Sequence, residues 1–118
     1  MRPDWYANAQ RAALSLKATT KRAPGAGHSV YVVLLHDPRR SHAYGAYVGQ
    51  TSRDPDLRFD QHMAGYKASG AVRRFGVRLL PDLVAHLNPM RRWEAVEIEA
   101  ALAEELRAGG VPWVEGGH

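Results

Sequence analysis

Arg58 and His62 stand four residues apart, Glu99 lies in an acid-rich helical segment, and Tyr31 and Tyr47 occupy two apolar runs upstream of both. A phosphate-handling site can be built from such residues. A guanidinium presents a planar fork of donors that matches phosphate oxygens, and an imidazole changes charge close to neutral pH. Spaced by four on a helix, the two side chains project together. Each residue also has a plainer reading: Arg58 and His62 as solvated surface, the tyrosines as core side chains with tied hydroxyls, and Glu99 as half of an ion pair with a nearby arginine.

Glu99 stands apart from the other acids on a helical projection. At about 100° per residue, Ala95, Ile98, Leu102 and Leu106 fall within about 40° of one line and define a buried stripe. Glu99 lies about 60° from that line, flanked by Leu106 and Ala103. Glu97 and Glu104 take the opposite face, and Glu94 and Glu105 the far border. An ionised carboxylate turned inward is costly unless it meets a cation, so either an arginine or a metal ion should partner Glu99.

Several other chemistries are excluded. The chain of 118 residues has no cysteine, hence no disulfide framework, thiolate zinc site, thiol nucleophile or iron–sulfur cluster. His28, His36, His42 and His86 fall in loops or at element ends without a zinc-binding spacing, and read as solvated or capping side chains. The formal charge of +4 is unevenly placed: residues 1–92 carry 15 basic and 6 acidic side chains, whereas residues 93–118 carry one Arg and six Glu. A cationic body attracts polyanions, of which nucleic acid is the commonest. Arg73, Arg74, Arg78, Arg91 and Arg92 suit phosphate contacts or solvated charge. No uninterrupted apolar stretch has signal-peptide or bilayer-spanning length, so the expectation is a cytoplasmic protein without membrane association.

The elements that must position these side chains follow from pattern and punctuation. Trp5, Ala9, Ala12, Ala13 and Leu16 predict a helix over 4–20, broken by the Ala-Pro-Gly-Ala-Gly run at 23–27. This makes 1–28 a helical arm and linker, for packing or for flanking a substrate, ahead of a domain spanning 29–118. Ser29 to Leu35 is a central strand apolar on both faces, 36–42 a hairpin loop, and Tyr44 to Gln50 the returning strand. Asp54 and Pro55 start a helix that runs to about Ala64. Val77 to Leu80 is a short third strand, Asp82 to Leu87 a helical turn, and Trp93 to Ala108 a long helix stopped by Gly109 and Gly110. The sum is an α/β domain with a small, mainly antiparallel three-stranded sheet flanked by helices.

In that order, Ser-Val-Tyr at 29–31, Tyr-Val-Gly at 47–49, Gln-Thr-Ser at 50–52, the stretch 55–62 and Ala-Val-Glu-Ile-Glu at 95–99 resemble the GIY-YIG endonuclease family over residues 29–108. The resemblance implies a metal-dependent endonuclease that hydrolyses DNA phosphodiester bonds. It implies that Tyr31 and Tyr47 line the active site, Arg58 binds the scissile phosphate, Glu99 holds one Mg²⁺ or Mn²⁺ ion, and His62 matches a histidine of several branches. Lys67 falls where some members carry an auxiliary basic residue, and Arg73 and Arg74 are expected to contact nucleic acid. By the same resemblance Tyr31 helps activate the attacking water, with His62 as the alternative proton acceptor. The chain departs from the pattern in its first half, in a longer loop between the two tyrosines, and in having no Asn after the last helix, where His118 is a candidate substitute. The alternative is a non-cleaving nucleic-acid-binding module of the same fold. Monomer and homodimer both remain open.

Overall fold

The computed structural model describes residues 2–65 and 69–117. Its centre is β1 (Ser29–His36), whose β-branched run is buried at every position but the two ends. A strand that apolar on both faces must be covered on both, and β1 is also paired along both edges. Antiparallel neighbours are β2 (Tyr44–Thr51) on one side and β3 (Gly76–Leu79) on the other. A further strand, β4 (Val114–Gly116), runs parallel to β2 and completes a four-stranded mixed sheet of order β3-β1-β2-β4. The three-stranded expectation is therefore corrected. A three-residue segment after Pro112 carries no strand signal of its own, and its hydrogen bonds come from β2, far away in sequence.

Alternation along the strands builds two cores. Val30, Val32, Leu34, Ala46 and Val48 pack against α1 (Tyr6–Leu14) and α4 (Arg92–Ala108), together with Leu80, Leu83 and Leu87. Tyr31, Val33 and Leu35 face the other way, against Val72, Trp113, Phe59 and Phe75. That second layer is made by α2 (Pro55–Met63) and α3 (Gly70–Phe75). α3 is an element that sequence pattern did not anticipate, since six residues starting at Gly70 are too short for a helical period to show.

The N-terminal segment packs into the first core. Trp5, Tyr6, Ala9 and Ala13 are all buried there, and the Trp5 indole N–H donates to the Tyr44 carbonyl at 3.2 Å. The helix stops at Leu14 and does not run on to 20. The reason is Glu94, expected at the border of α4 but buried in fact. Its carboxylate accepts from the amides of Thr19 and Thr20 at 2.9–3.0 Å and from both threonine hydroxyls at 2.7 Å, so these residues are pulled out of helical geometry to face α4.

The ends of α2 and α4 are fixed locally. Asp54 caps α2 by accepting from the Asp56 amide at 2.8 Å, with Pro55 in the first turn. α4 closes with Gly110 at φ 98°, which lets the Val111 amide reach Leu106 O at 3.0 Å and turns the chain toward β4. No helix among the described residues is long and apolar enough to cross a membrane.

Candidate active site

Tyr31 and Tyr47 come from adjacent strands on the α2 face of the sheet, where Tyr31 pairs with Gly49 and Val33 with Tyr47. Gly49 is required here by contact rather than by backbone angle. A Cβ at 49 would lie 2.5 Å from Cζ and Oη of Tyr31, so the Tyr31 ring lies flat across a position that only hydrogen can fill. His62, on α2, is the third ring: its centroid is 6.1 Å from that of Tyr31 and 5.8 Å from that of Tyr47, while the two tyrosines are 6.2 Å apart.

Hydrogen bonding defines the proton positions in this cluster. The Ser69 amide donates to His62 Nδ1 at 3.1 Å, so that nitrogen carries a lone pair. Burial, assisted by the Arg58 charge, lowers the His62 pKa to about 4, and the ring is neutral at pH 7. The proton then sits on Nε2, which lies 2.9 Å from Tyr31 Oη and donates to it. Both ring nitrogens are occupied. The role of proton acceptor, open to His62 on sequence grounds, does not fit this tautomer, in which His62 donates to Tyr31.

Arg58 and Glu99 complete the group from two other directions. Burial raises the Tyr31 hydroxyl well above its ordinary pKa, as do the charges of Tyr47 and Glu99, while Arg58 opposes them by charge and hydrogen bond. Tyr47 is raised by burial and then by Glu99, against a hydrogen bond with Ser69 and the Arg58 charge. Glu99 is only 6 % exposed although it belongs to the helix on the far side of the sheet. Five residues from β1, β2, α2 and α4 thus converge: Tyr31, Tyr47, Arg58, His62 and Glu99.

Not every residue singled out from sequence joins them. Arg73 and Arg74 are exposed on α3, Arg73 with its guanidinium carbon 3.5 Å from where a Cβ on Gly65 would sit, and Arg74 5.1 Å above the Phe75 ring. Lys67 and His118 lie outside the described residues. Sequence reasoning missed Ser69, which touches two site residues at once. It occupies the N-cap position of α3 but makes no side-chain cap, and its hydroxyl turns to Tyr47 instead. A serine ahead of a recognised helix would have been the signal, and that helix was not recognised.

The donor chemistry bears on which metal could fit. No group of three or more His, Cys, Asp or Glu among the described residues could enclose an ion unaided. One buried carboxylate, with water and phosphate oxygens making up the rest of the shell, suits a hard ion such as Mg²⁺ and is a poor zinc site.

The fold and the cluster together define an α/β protein with a compact tyrosine, histidine, arginine and glutamate site. No protein-family model matches the chain, and comparisons with curated proteins and with solved structures find no match either.

Proposed function

We propose that the chain is a metal-dependent endonuclease of GIY-YIG type that hydrolyses DNA phosphodiester bonds. The observation that carries this reading is the convergence of Tyr31, Tyr47, Arg58, His62 and Glu99, contributed by four separate elements, around the Tyr31 hydroxyl. A core tyrosine needs one partner for its hydroxyl. Tyr31 instead feels a histidine, an arginine, a carboxylate and a second tyrosine, an arrangement costly for stability alone.

Phosphodiester hydrolysis requires an attacking water, neutralisation of the charge gathering on phosphorus, and help for the departing oxygen. Glu99 would hold one Mg²⁺ or Mn²⁺ ion, which supplies Lewis-acid stabilisation of the phosphate. Arg58 donates to the phosphate oxygens as a fork. Tyr31 first releases its own proton to solvent, and its phenolate then takes the proton of the attacking water as the water oxygen bonds to phosphorus and the bond to the departing oxygen breaks. The bond donated by His62 and the Arg58 charge both favour the phenolate, against burial and the Glu99 charge. Tyr47 on β2 and Ser69 at the start of α3 brace that geometry through their mutual hydrogen bond.

The test is incubation of purified protein with supercoiled plasmid and with single-stranded DNA, in Mg²⁺ or Mn²⁺, with and without chelator. Cleavage that the chelator abolishes is the expected result. Nucleic-acid binding without cleavage in either metal would replace this reading with that of a binding module.

A further inference from the structure

Three tryptophans are present, and two behave as the hydrophobic effect demands: Trp5 is 7 % exposed and Trp113 6 %. Trp93, in the first turn of α4, is 53 % exposed, and Val96 one turn on is 45 % exposed beside it. They line an open groove with Arg91 and Arg92, walled by Pro24 and Gly25, with Glu97 at its rim. The wall is fixed, because Arg91 Nε donates to Pro24 O at 2.8 Å and the Arg91 amide to Thr20 Oγ1 at 2.9 Å. A second depression shares Arg92 and adds His28, Gln50, Thr51 and Ser52.

The second depression adjoins the candidate active site along β2. Gln50 and Thr51 directly follow Gly49, which lies against Tyr31. On α4, Arg92 and Glu99 are seven residues apart, within about 20° on the helix and about 10 Å along it. That rise corresponds to about three stacked nucleotides at 3.4 Å each. Arg92 is exposed and makes no ion pair among the described residues.

We infer that this groove is a track for an unpaired DNA strand entering or leaving the site, with Trp93 stacking on one base and Arg92 and His28 meeting the adjoining phosphates. Cationic side chains flanking an exposed indole match the pattern of a charged strand carrying flat π faces. Within a duplex the base faces are stacked on each other, so an indole in this position selects a single-stranded flank. The inference rests on the nuclease reading for its placement, and it names the substrate class: DNA with an unpaired segment beside the scissile bond.

The test is binding of fluorescein-labelled oligo(dT) of about 15 nucleotides, within the span of one small domain, in chelator so that no cutting intervenes. Tryptophan emission of the wild type should be quenched, since Trp93 is the exposed indole. Trp93→Ala should weaken binding by roughly 5- to 150-fold, the loss of one stacked base, and Trp93→Phe should recover most of it. Arg92→Ala should reduce the slope of log affinity against log salt by about 0.7. Leu14→Ala, an exposed apolar residue on α1, should bind as the wild type does. Absence of oligo(dT) binding, or a Trp93→Ala protein indistinguishable from wild type, overturns the track. Trp93-dependent binding by a protein that cuts no DNA keeps the track and removes the nuclease reading. Cutting combined with Trp93-independent binding removes the track alone.

Discussion

Replacing Gly49 with alanine should disable the site by moving one ring. The added Cβ would lie 2.5 Å from Tyr31 Cζ and Oη. Carbon atoms in contact sit roughly 3.5–4.0 Å apart, so the ring must shift by about an ångström. Tyr31 is 3 % exposed and boxed in by Tyr47 and His62, which leaves it no unstrained alternative. Overpacking of this kind costs about 1–3 kcal/mol, and breaking the bond from His62 Nε2 adds about 1 kcal/mol. A loss of about 2–4 kcal/mol, at roughly 4 °C per kcal/mol for a chain of this size, lowers Tm by roughly 8–16 °C. An ångström of misplacement should cost cleavage about a hundredfold per folded molecule. Gly45→Ala is the matched control. Its Cβ would meet Trp113 at 2.6 Å, on the same strand face but about 13 Å away. The clash at Gly45 includes the Trp113 carbonyl oxygen, also at 2.6 Å, so melting curves should show a loss at least as large there as in Gly49→Ala, while plasmid nicking, corrected for folded fraction, should fall only in Gly49→Ala. Full activity in Gly49→Ala, or an equal loss of cleavage in both variants, would show that the position of the Tyr31 ring does not govern cleavage.

Further expectations concern protons and the N-terminal latch. The rate of cleavage should climb with pH from 7 to about 9, because Tyr31 is protonated at neutrality and its pKa is raised above the usual value of about 10. A rate that is flat above about pH 5 would instead point to His62 as the base, since its pKa is about 4. An NMR titration of the imidazole should place His62 near that value in the wild type and higher in Gly49→Ala, where water reaches the ring. Burial would raise the Glu94 pKa, but hydrogen bonds from Thr20 and Thr19 outweigh it and hold it at about 2, below the ordinary 4.5. Its folded pKa is depressed, so its stabilisation is complete above about pH 4.5 and is lost as pH falls toward 2. Glu94→Gln should flatten that part of the acid-unfolding curve and destabilise the protein at pH 7 by about 2–3 kcal/mol, as measured by urea unfolding. Truncation before Ser29 should unfold the protein, because Trp5, Tyr6, Ala9 and Ala13 belong to the main core.

What could be read from the residues alone was whatever local pattern specifies. β1 shows itself because a run of Val and Leu buried on both faces is incompatible with a surface loop, and α2 because Asp54 and Pro55 mark its start. The inward turn of Glu99 follows from helical geometry once the stripe of Ala95, Ile98, Leu102 and Leu106 is recognised. Partners distant in the chain were illegible. β4 exists only through its pairing with β2, and Glu94 is buried only because Thr19 and Thr20, some 75 residues earlier, turn to meet it. The proton arrangement at His62 depends on the Ser69 amide, a backbone group with no signature in sequence. Gly49 stood out only through the resemblance of Tyr-Val-Gly at 47–49, whereas the close approach of the Tyr31 ring follows from the pairing of β1 with β2.

On the proposed reading, Glu99 is the one buried carboxylate that would hold the metal ion needed for cleavage. The most direct test is plasmid nicking in Mg²⁺ by Glu99→Gln, set against Glu104→Gln on the exposed face of the same helix. Loss of the cation site should reduce cleavage by Glu99→Gln at least about a hundredfold, while Glu104→Gln cuts at the wild-type rate. Wild-type cleavage by Glu99→Gln would show that Glu99 holds no ion that cleavage needs.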